Sequence, residues 1–530
     1  MKSLYIIQNL NTYFIPIVLK SINKSNKEFS LNILIIISMI AIFFINFIFI
    51  DKINSMVIPF FIMGMFINQN KYVIKYTRMR RFKMFTIKNI KLNYTEIIVF
   101  GTLILIIFGG ILLSLPISSR EAISTPFIDS LFTAASAFCV TGLIVYDTFT
   151  HWSTFGQVII LLLIQIGGLG FMTIITLFSM FLRRKIGLKE RRLLMESANT
   201  LKIGGIVLLV KKVIIRTFIF ESIGALILTI SFYPQMGLKV GLFNGIFHSV
   251  SAFCNAGFDL MGKYGQFSSL ISYADDVVVN ITIMALIAIG GIGFVVWDDL
   301  ASNHLSFKNY QLHTKIVLVT TAILIFGCAI IFFIIESNHS MEGMSIKEKI
   351  LASLFQSVTP RTAGFNTIDQ NKLSEGGNLL TMILMIIGGS PGSTAGGIKT
   401  TTFVTLMLGA WSTARQSSDI SIYKRRLETD SLKKASAITV IYIFAALAAI
   451  MLISGLQDFS LKEIAFEVFS AVGTVGLSLG ITPSLNSFSK IIIALLMYGG
   501  KVGVLSVAAV IAEIKEPAPL SRPYEKIIIG

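Results

Sequence analysis

Charge is scarce in this sequence. Only 14% of its 530 residues are Asp, Glu, Lys or Arg, roughly half of the ~25% usual in soluble domains. With a mean hydropathy of +0.78, such a chain lacks the polar groups to cover a water-facing surface, which excludes a cytosolic globular enzyme. Cysteine is scarce too: three residues cannot form a disulfide framework, and no CxxC pair or Cys/His cluster offers a metal site. The five histidines are scattered, with His304 and His313 in a loop expected to be cytoplasmic and solvated. What is abundant is apolar. Hydrophobic residues make up 54% of the chain and 42 of them are Phe, which excludes intrinsic disorder.

Apolar runs lie near 31–50, 53–68, 94–115, 154–182, 209–233, 275–297, 314–336, 377–412, 435–455 and 488–513. Most approach the ~20 residues a transmembrane helix needs, so ten membrane helices are expected. Shorter segments near 125–138, 241–253, 347–359 and 461–472 cannot span and read as re-entrant or interfacial pieces. The N-terminus has no signal-peptide layout, because no small-residue cleavage site follows its first apolar stretch. The net charge of +17 comes from basic loops at 71–91, 183–216 and 415–434, while 116–153 and 456–487 are acidic or balanced. The positive-inside rule puts the basic loops in the cytoplasm, and this accounts for the charge without nucleic acid.

The chain repeats itself. LFTAASAFCVTGL (131–143), IFHSVSAFCNAGF (246–258), LFQSVTPRTAGF (354–365) and VFSAVGTVGL (468–477) each run into a glycine. These glycines, Gly142, Gly257, Gly364 and Gly476, stand 115, 107 and 112 residues apart. A glycine pair recurs in the helix that follows: GGLG at 167–170, GGIG at 290–293, GGSPG at 388–392 and GGKVG at 499–503. One unit is therefore helix, short re-entrant helix, glycine turn and second helix. The expected divisions are an extension at 1–91, then units at 92–200, 201–310, 311–430 and 431–530, the last with the C-terminal tail.

Irregular backbone at membrane depth must be buried or line a watery cavity. Four equivalent turns around one axis would make a ring of carbonyls able to replace a monovalent cation's hydration shell. Glycine reaches positive φ there, and each short helix aims its partly negative C-terminal end at the ion. Asp147, Asp259 and Asp369 lie just beyond the turns, where they would draw cations to the mouth. The plain alternative for the glycines is close helix packing. Gly388–Lys399 holds too much Gly, Ser, Thr, Ala and Pro to remain helical. It faintly suggests a phosphate loop, but Ile398 separates Gly397 from Lys399 and breaks that pattern. Lys501, mid-helix, is a functional candidate, with a snorkelling or carbonyl-bonded lysine as the plain alternative. Glu221 reads as a structural hydrogen bond or a cation partner, and Cys139 and Cys254 read as small buried residues.

In SAFCVTGL, QIGGLGF, SAFCNAGFD, SVTPRTAGFNT, GSPGSTAGGIKTTTF and the terminal RPYEKIIIG, the sequence resembles the Trk/Ktr/HKT superfamily of cation transporters over about residues 92–530. It looks most like the Ktr-type membrane pore subunit, while the N-terminal helix pair is more like Trk-type members. The resemblance implies an all-α integral membrane protein. Four pseudo-symmetric helix–pore-loop–helix repeats would surround one ion pore, with two extra N-terminal transmembrane helices. The selectivity filter it implies is Val140, Thr141 and Gly142; Asn255, Ala256 and Gly257; Thr362, Ala363 and Gly364; and Thr474, Val475 and Gly476. Glycine in all four repeats goes with potassium in that family, and serine in the first with sodium. The implied intramembrane gate comprises Gly388, Gly389, Gly392, Ser393, Thr394, Gly396, Gly397 and Lys399. Lys501 stands where the family commonly has arginine near the pore, and Arg361 would brace its turn.

The expected function is channel-like potassium uptake across the plasma (inner) membrane, with the pore loops facing outside. The expected assembly is a homodimer regulated by a cytoplasmic RCK-type nucleotide-binding ring. The chain is not expected to be an enzyme, and no cofactor is expected in it; K+ would be the transported ion. Sodium as a permeant, coupling or activating ion is the alternative. A secondary solute transporter with broken helices and a membrane-embedded enzyme are the other classes. The fourfold repeat opposes the first, and the lack of converging acids or histidines opposes the second.

Overall fold

The structure is a computed structural model. It describes residues 94–170, 205–304, 306–417, 419–504 and 506–507, with isolated positions 173, 176, 187, 191 and 525. Residues Leu92–Gly530 form one compact unit. The N-terminal helices expected at 31–50 and 53–68 lie outside the described residues, as do parts of 171–204 and 508–530.

The first described helix, α1 (Tyr94–Ser114), is apolar around its whole circumference. It buries Val99, Ile106 and Leu113 while Phe100, Ile104, Phe108 and Ile111 stay exposed. A helix with no polar face suits a lipid surround, where its backbone bonds are satisfied internally. The helices α4 (Ile206–Phe253) and α12 (Thr429–Leu456) have the same character, as does the continuous run of α7 (Leu312–Ala322), a π turn (Ile323–Gly327) and α8 (Cys328–Glu336). Among the described residues these are the four helical runs long and apolar enough to cross a membrane.

Short helices lie between the long ones. They are α2 (Phe127–Phe138), α9 (Ile346–Val358) and α13 (Leu461–Gly473). Twelve or thirteen residues reach only ~18–20 Å at 1.5 Å per residue, too short to span. The sequence starts α9 and α13 sharply: Ser345 with Glu348 and Ser460 with Glu463 form reciprocal capping boxes. The second repeat's short helix is the end of α4, which breaks after Pro234 at Gly237 (φ 71°, ψ 172°).

The second helices differ from expectation. Those at 154–182, 275–297 and 488–513 were expected as single helices and each breaks inside its run, whereas the interruption of 377–412 at 388–399 is where the composition put it. Helix α3 (Thr154–Leu169) ends at Gly170 (φ 85°) and α14 (Ser487–Val502) at Gly503 (φ 99°). Helix α5 (Val277–Gly291) turns by 95° into α6 (Phe294–Asn303) around Gly293 (φ 98°). In the third repeat α10 (Glu375–Ile386) and α11 (Thr400–Ala414) flank a non-helical loop. Only glycine adopts these φ/ψ values without strain, so the glycine-rich pattern sets the break points.

Packing runs in a cycle. Helix α3 packs on α4, α5 on α9, α10 on α13, and α14 returns to α2. Each second helix thus leans on the short helix of the next repeat, or on the helix that carries it. The buried core inside this cycle includes Phe132, Phe138, Trp152, Phe247, Phe253, Phe355 and Phe466.

Candidate cation pathway

The four turns share one backbone pattern. Each opens with a residue at positive φ: Val140 (51°), Asn255 (59°), Thr362 (68°) and Thr474 (53°). Two positions on, the glycine is again at positive φ: Gly142 (93°), Gly257 (70°), Gly364 (79°) and Gly476 (94°). The middle residue, Thr141, Ala256, Ala363 or Val475, is fully buried in every turn.

The turns also meet. A Cβ placed on Gly142 would press on the Ala256 carbonyl oxygen, and one on Gly257 on that of Ala363. One on Gly364 would press on that of Val475, and one on Gly476 on that of Thr141. The contacts run first to second, second to third, third to fourth and fourth back to first. The four glycines and the four middle residues therefore meet in one closed ring of backbone contacts. Rings of backbone carbonyls are one means by which proteins replace a cation's hydration shell.

Hydroxyls on the short helices hold the turns, and the sequence reading missed them. Ser136 Oγ accepts from the Gly142 N–H (3.1 Å), and Ser470 Oγ accepts from that of Gly476 (3.0 Å). Ser251 Oγ donates to the Phe258 carbonyl (2.7 Å), and Thr359 Oγ1 donates to that of Phe365 (2.5 Å). The signal was available, since Ser or Thr recurs in SAF, SAF, VTP and FSA. In three turns the middle N–H bonds to the Ser136, Ser251 or Ser470 carbonyl at 2.8 Å, five residues back. In the third, Ala363 N bonds to Thr359, four back (3.0 Å), because that segment is one residue shorter.

A buried ion pair also escaped the sequence reading. Lys490 Nζ of α14 lies 2.6 Å from Asp129 Oδ1 of α2, and Tyr146 donates to Asp129 Oδ2 (2.8 Å). It locks the fourth repeat to the first. The partners are 361 residues apart, beyond any local pattern.

The second helices reach the ring through their glycines. A Cβ on Gly167, Gly290 or Gly500 would strike the carbonyl of Phe138, Phe253 or Val472, at the end of a short helix. Close packing and the ring are thus one arrangement. The segment 388–399 folds back on itself, with Gly388 N bonded to the Ile398 carbonyl (2.8 Å). Ser390 N bonds to Gly291 O (2.9 Å), Phe294 N to Gly392 O (2.7 Å), and Gly396 abuts the Thr474 side chain. Gly389, Ser393, Gly397 and Lys399 complete the loop, with Lys399 Nζ donating to the Ala395 carbonyl (2.7 Å). Lys501 Nζ donates to the Thr394 carbonyl (2.5 Å); expected mid-helix, this lysine stands in the last turn of α14 because Gly503 breaks the helix, and it is carbonyl-bonded and tied to the loop. A cavity of about 460 Å³ is bordered by this loop, the 167–170 glycines, Thr102 and Lys501.

Other expected residues are placed differently. Arg361 is buried but points to Thr321 Oγ1 (3.4 Å) on α7, so it braces that helix rather than a turn carbonyl. Asp147, Asp259 and Asp369, expected to draw cations, each accept backbone N–H groups. Asp147 accepts from the Phe149, Thr150 and Phe267 N–H groups, Asp259 from Met261 and Asp369 from Asn371. Short acidic side chains after a turn find nearby N–H groups more readily than open water. Glu221 accepts from Gln165 Nε2 (3.3 Å) beside Cys254, and both Cys139 and Cys254 are buried. His304 is exposed, whereas His313 is half-buried rather than solvated. Among the described residues no three His, Cys, Asp or Glu gather as a metal site.

A mostly helical chain with apolar helices long enough to cross a membrane and four turns that meet is of the membrane-transporter class. The chain belongs to the TrkH family, described as cation transport protein, whose model matches residues 111–522. It is 40% identical over 447 residues to the Potassium/sodium uptake protein NtpJ of Enterococcus hirae, covering 83% of this chain and 98% of that one. It is 43% identical over 422 residues to the Ktr system potassium uptake protein B of Bacillus subtilis, covering 79% and 93%. In fold it is similar to the crystal structure of the potassium transporter TrkH from Vibrio parahaemolyticus. That match has a TM-score of 0.64 at 17% identity and covers 91% of this chain and 97% of that one.

Proposed function

We propose that the protein takes up potassium ions across the plasma membrane through a channel-like pore whose selectivity filter is the ring of four turns. The observation that carries this reading is the cyclic glycine-to-carbonyl contact around the ring. A potassium ion would shed water onto these carbonyls, with four short helices pointing their C-terminal ends inward. The membrane potential supplies ~2.3 kcal/mol per charge per 100 mV, enough to draw the ion inward without hydrolysis. Glycine in all four turns favours potassium over sodium. Sodium as a permeant or coupling ion is the second reading, and the similarity to the Potassium/sodium uptake protein of Enterococcus hirae favours it.

Segment 388–399 would act as the gate, with Lys399 and Lys501 holding it below the ring. The four repeats would fall at 92–200, 201–310, 311–430 and 431–530, with the basic loops cytoplasmic and the pore turns facing outside. The pore subunit would work as a homodimer under a cytoplasmic RCK-type nucleotide-binding ring that moves the gate.

The test is uptake of Rb+ or K+ by cells lacking their own potassium uptake systems, with and without a co-expressed RCK-type subunit. Growth at low K+ and influx abolished by Gly257→Asp are expected. Gly142→Ser is expected to lower the K+ to Na+ ratio, and shortening 388–399 to raise flux without the partner. No influx from protein present in the membrane would overturn the potassium reading.

A further inference from the structure

Within segment 388–399, Thr394 is bound to its surroundings through every polar atom it carries. Its N–H donates to the Gly290 carbonyl (3.3 Å) on the second helix of repeat 2. Its Oγ1 lies 3.1 Å from the Phe253 carbonyl, where the second short helix ends, and 2.9 Å from Asn255 Oδ1, where the second turn begins. Its carbonyl accepts from Lys501 Nζ of repeat 4. The neighbouring hydroxyls bond inside the loop or to its edge: Ser393 Oγ to the Ser390 carbonyl and Ser390 Oγ to Thr400 Oγ1.

Asn255 has the complementary peculiarity. It is 1% exposed and at positive φ, and its Nδ2 has no partner among the described residues. The Thr394 hydroxyl is the side-chain partner described for it. Thr394 carries one hydroxyl proton, shared between a helix-end carbonyl and the Asn255 amide oxygen. Both acceptors flank Cys254 at the entry to the second turn, so the loop and that turn cannot separate without breaking this contact.

We propose that the Thr394 hydroxyl is a latch that holds the loop on the second turn and fixes the Asn255 side chain, making Thr394 a positioning residue for ion selection as well as for gating. The proposal rests on reading 388–399 as a gate. Freed of the latch, the loop would leave the ring more often, and Asn255 would lose the group that orients it.

The test is Rb+ influx without the partner subunit, and the K+ to Na+ uptake ratio, in cells lacking potassium uptake. The variants are Thr394→Val, Thr394→Ser, Asn255→Leu, the Thr394→Val/Asn255→Leu double variant and a chain shortened within 388–399. Thr394→Val keeps the shape and drops the hydroxyl, so partner-free influx is expected to rise about five- to tenfold, the worth of one buried hydrogen bond. Thr394→Ser is expected to reverse that rise. The two single variants are each expected to lower the K+ to Na+ ratio, and the double variant to lower it no further than the larger of them. Should Thr394→Val not reach the membrane, Thr394→Cys, a weaker donor, is expected to lie between Ser and wild type on one side and the shortened chain on the other. Wild-type influx in Thr394→Val, or additive effects with Asn255→Leu, would overturn the latch while a leaky shortened chain left the gate standing. Wild-type influx in the shortened chain would overturn the gate and the latch with it.

Discussion

The third repeat and the other three end their second helices differently. In repeats 1, 2 and 4 a glycine presses on a short helix's last carbonyls, and three residues on a second glycine breaks the helix. In repeat 3 that economy is replaced by twelve residues of loop, and Gly388 presses on the loop's own Gly396 carbonyl. The lesson is that one pseudo-symmetric plan carries two kinds of joint. Three are packed pivots, stiff because backbone meets backbone. One is a folded strap, held by side-chain and backbone hydrogen bonds to repeats 2 and 4.

The largest expected effect comes from breaking the closure that all four repeats depend on. Lys490→Met leaves the Asp129 carboxylate buried without its cation, which costs about 3–5 kcal/mol. Purified protein should show a large drop in thermal stability, and adding Asp129→Leu should recover most of it. An unchanged midpoint in Lys490→Met would show that the pair does not hold repeats 1 and 4 together.

Next is the contrast between joints. Gly290→Ala and Gly500→Ala push a methyl into a helix-end carbonyl, and overpacking costs about 1–3 kcal/mol even where neighbours can yield. Influx should fall steeply in both. Gly388→Ala distorts only the strap, so partner-free influx should rise instead. Equal losses in all three would erase the distinction between pivot and strap.

A smaller effect separates the hydroxyls that hold the turns. Ser136→Ala removes the acceptor of a buried Gly142 N–H and should cost about 1–3 kcal/mol. Ser251→Ala leaves the Phe258 carbonyl without its donor, and an under-satisfied carbonyl is better tolerated than an orphaned N–H. The ordering of the two melting temperatures checks this. The smallest effect is at Gly499, where an added Cβ meets nothing within 4 Å. Gly499→Ala should leave influx intact and stabilise α14 by about 0.5–1 kcal/mol, in contrast to Gly500→Ala one residue on.

Much of this was legible in the residues. Gly142, Gly257, Gly364 and Gly476 are recognisable because positive φ restricts the residue type, and a fourfold spacing exposes the restriction. The composition of 388–399 announced a non-helical stretch for the same reason. The glycines at Gly170, Gly293 and Gly503 were visible as a recurring element but were read as lying inside continuous helices, since a glycine that packs and a glycine that breaks a helix look the same in sequence. That Asp147, Asp259 and Asp369 cap N–H groups was not legible, because an acid after a turn looks the same whether it faces water or caps an N–H group.

Composition and the spacing of glycines thus settled that the chain is a membrane-embedded helical protein with four repeated turns, because burial in lipid and positive φ each restrict the residues that can serve. The closing of those turns into one ring, the Lys490–Asp129 lock and the seat of Thr394 between Asn255 and Lys501 were decided by the folded arrangement alone. These contacts join residues 107 to 361 positions apart, and a hydrogen bond or ion pair leaves no periodic trace in the chain that makes it.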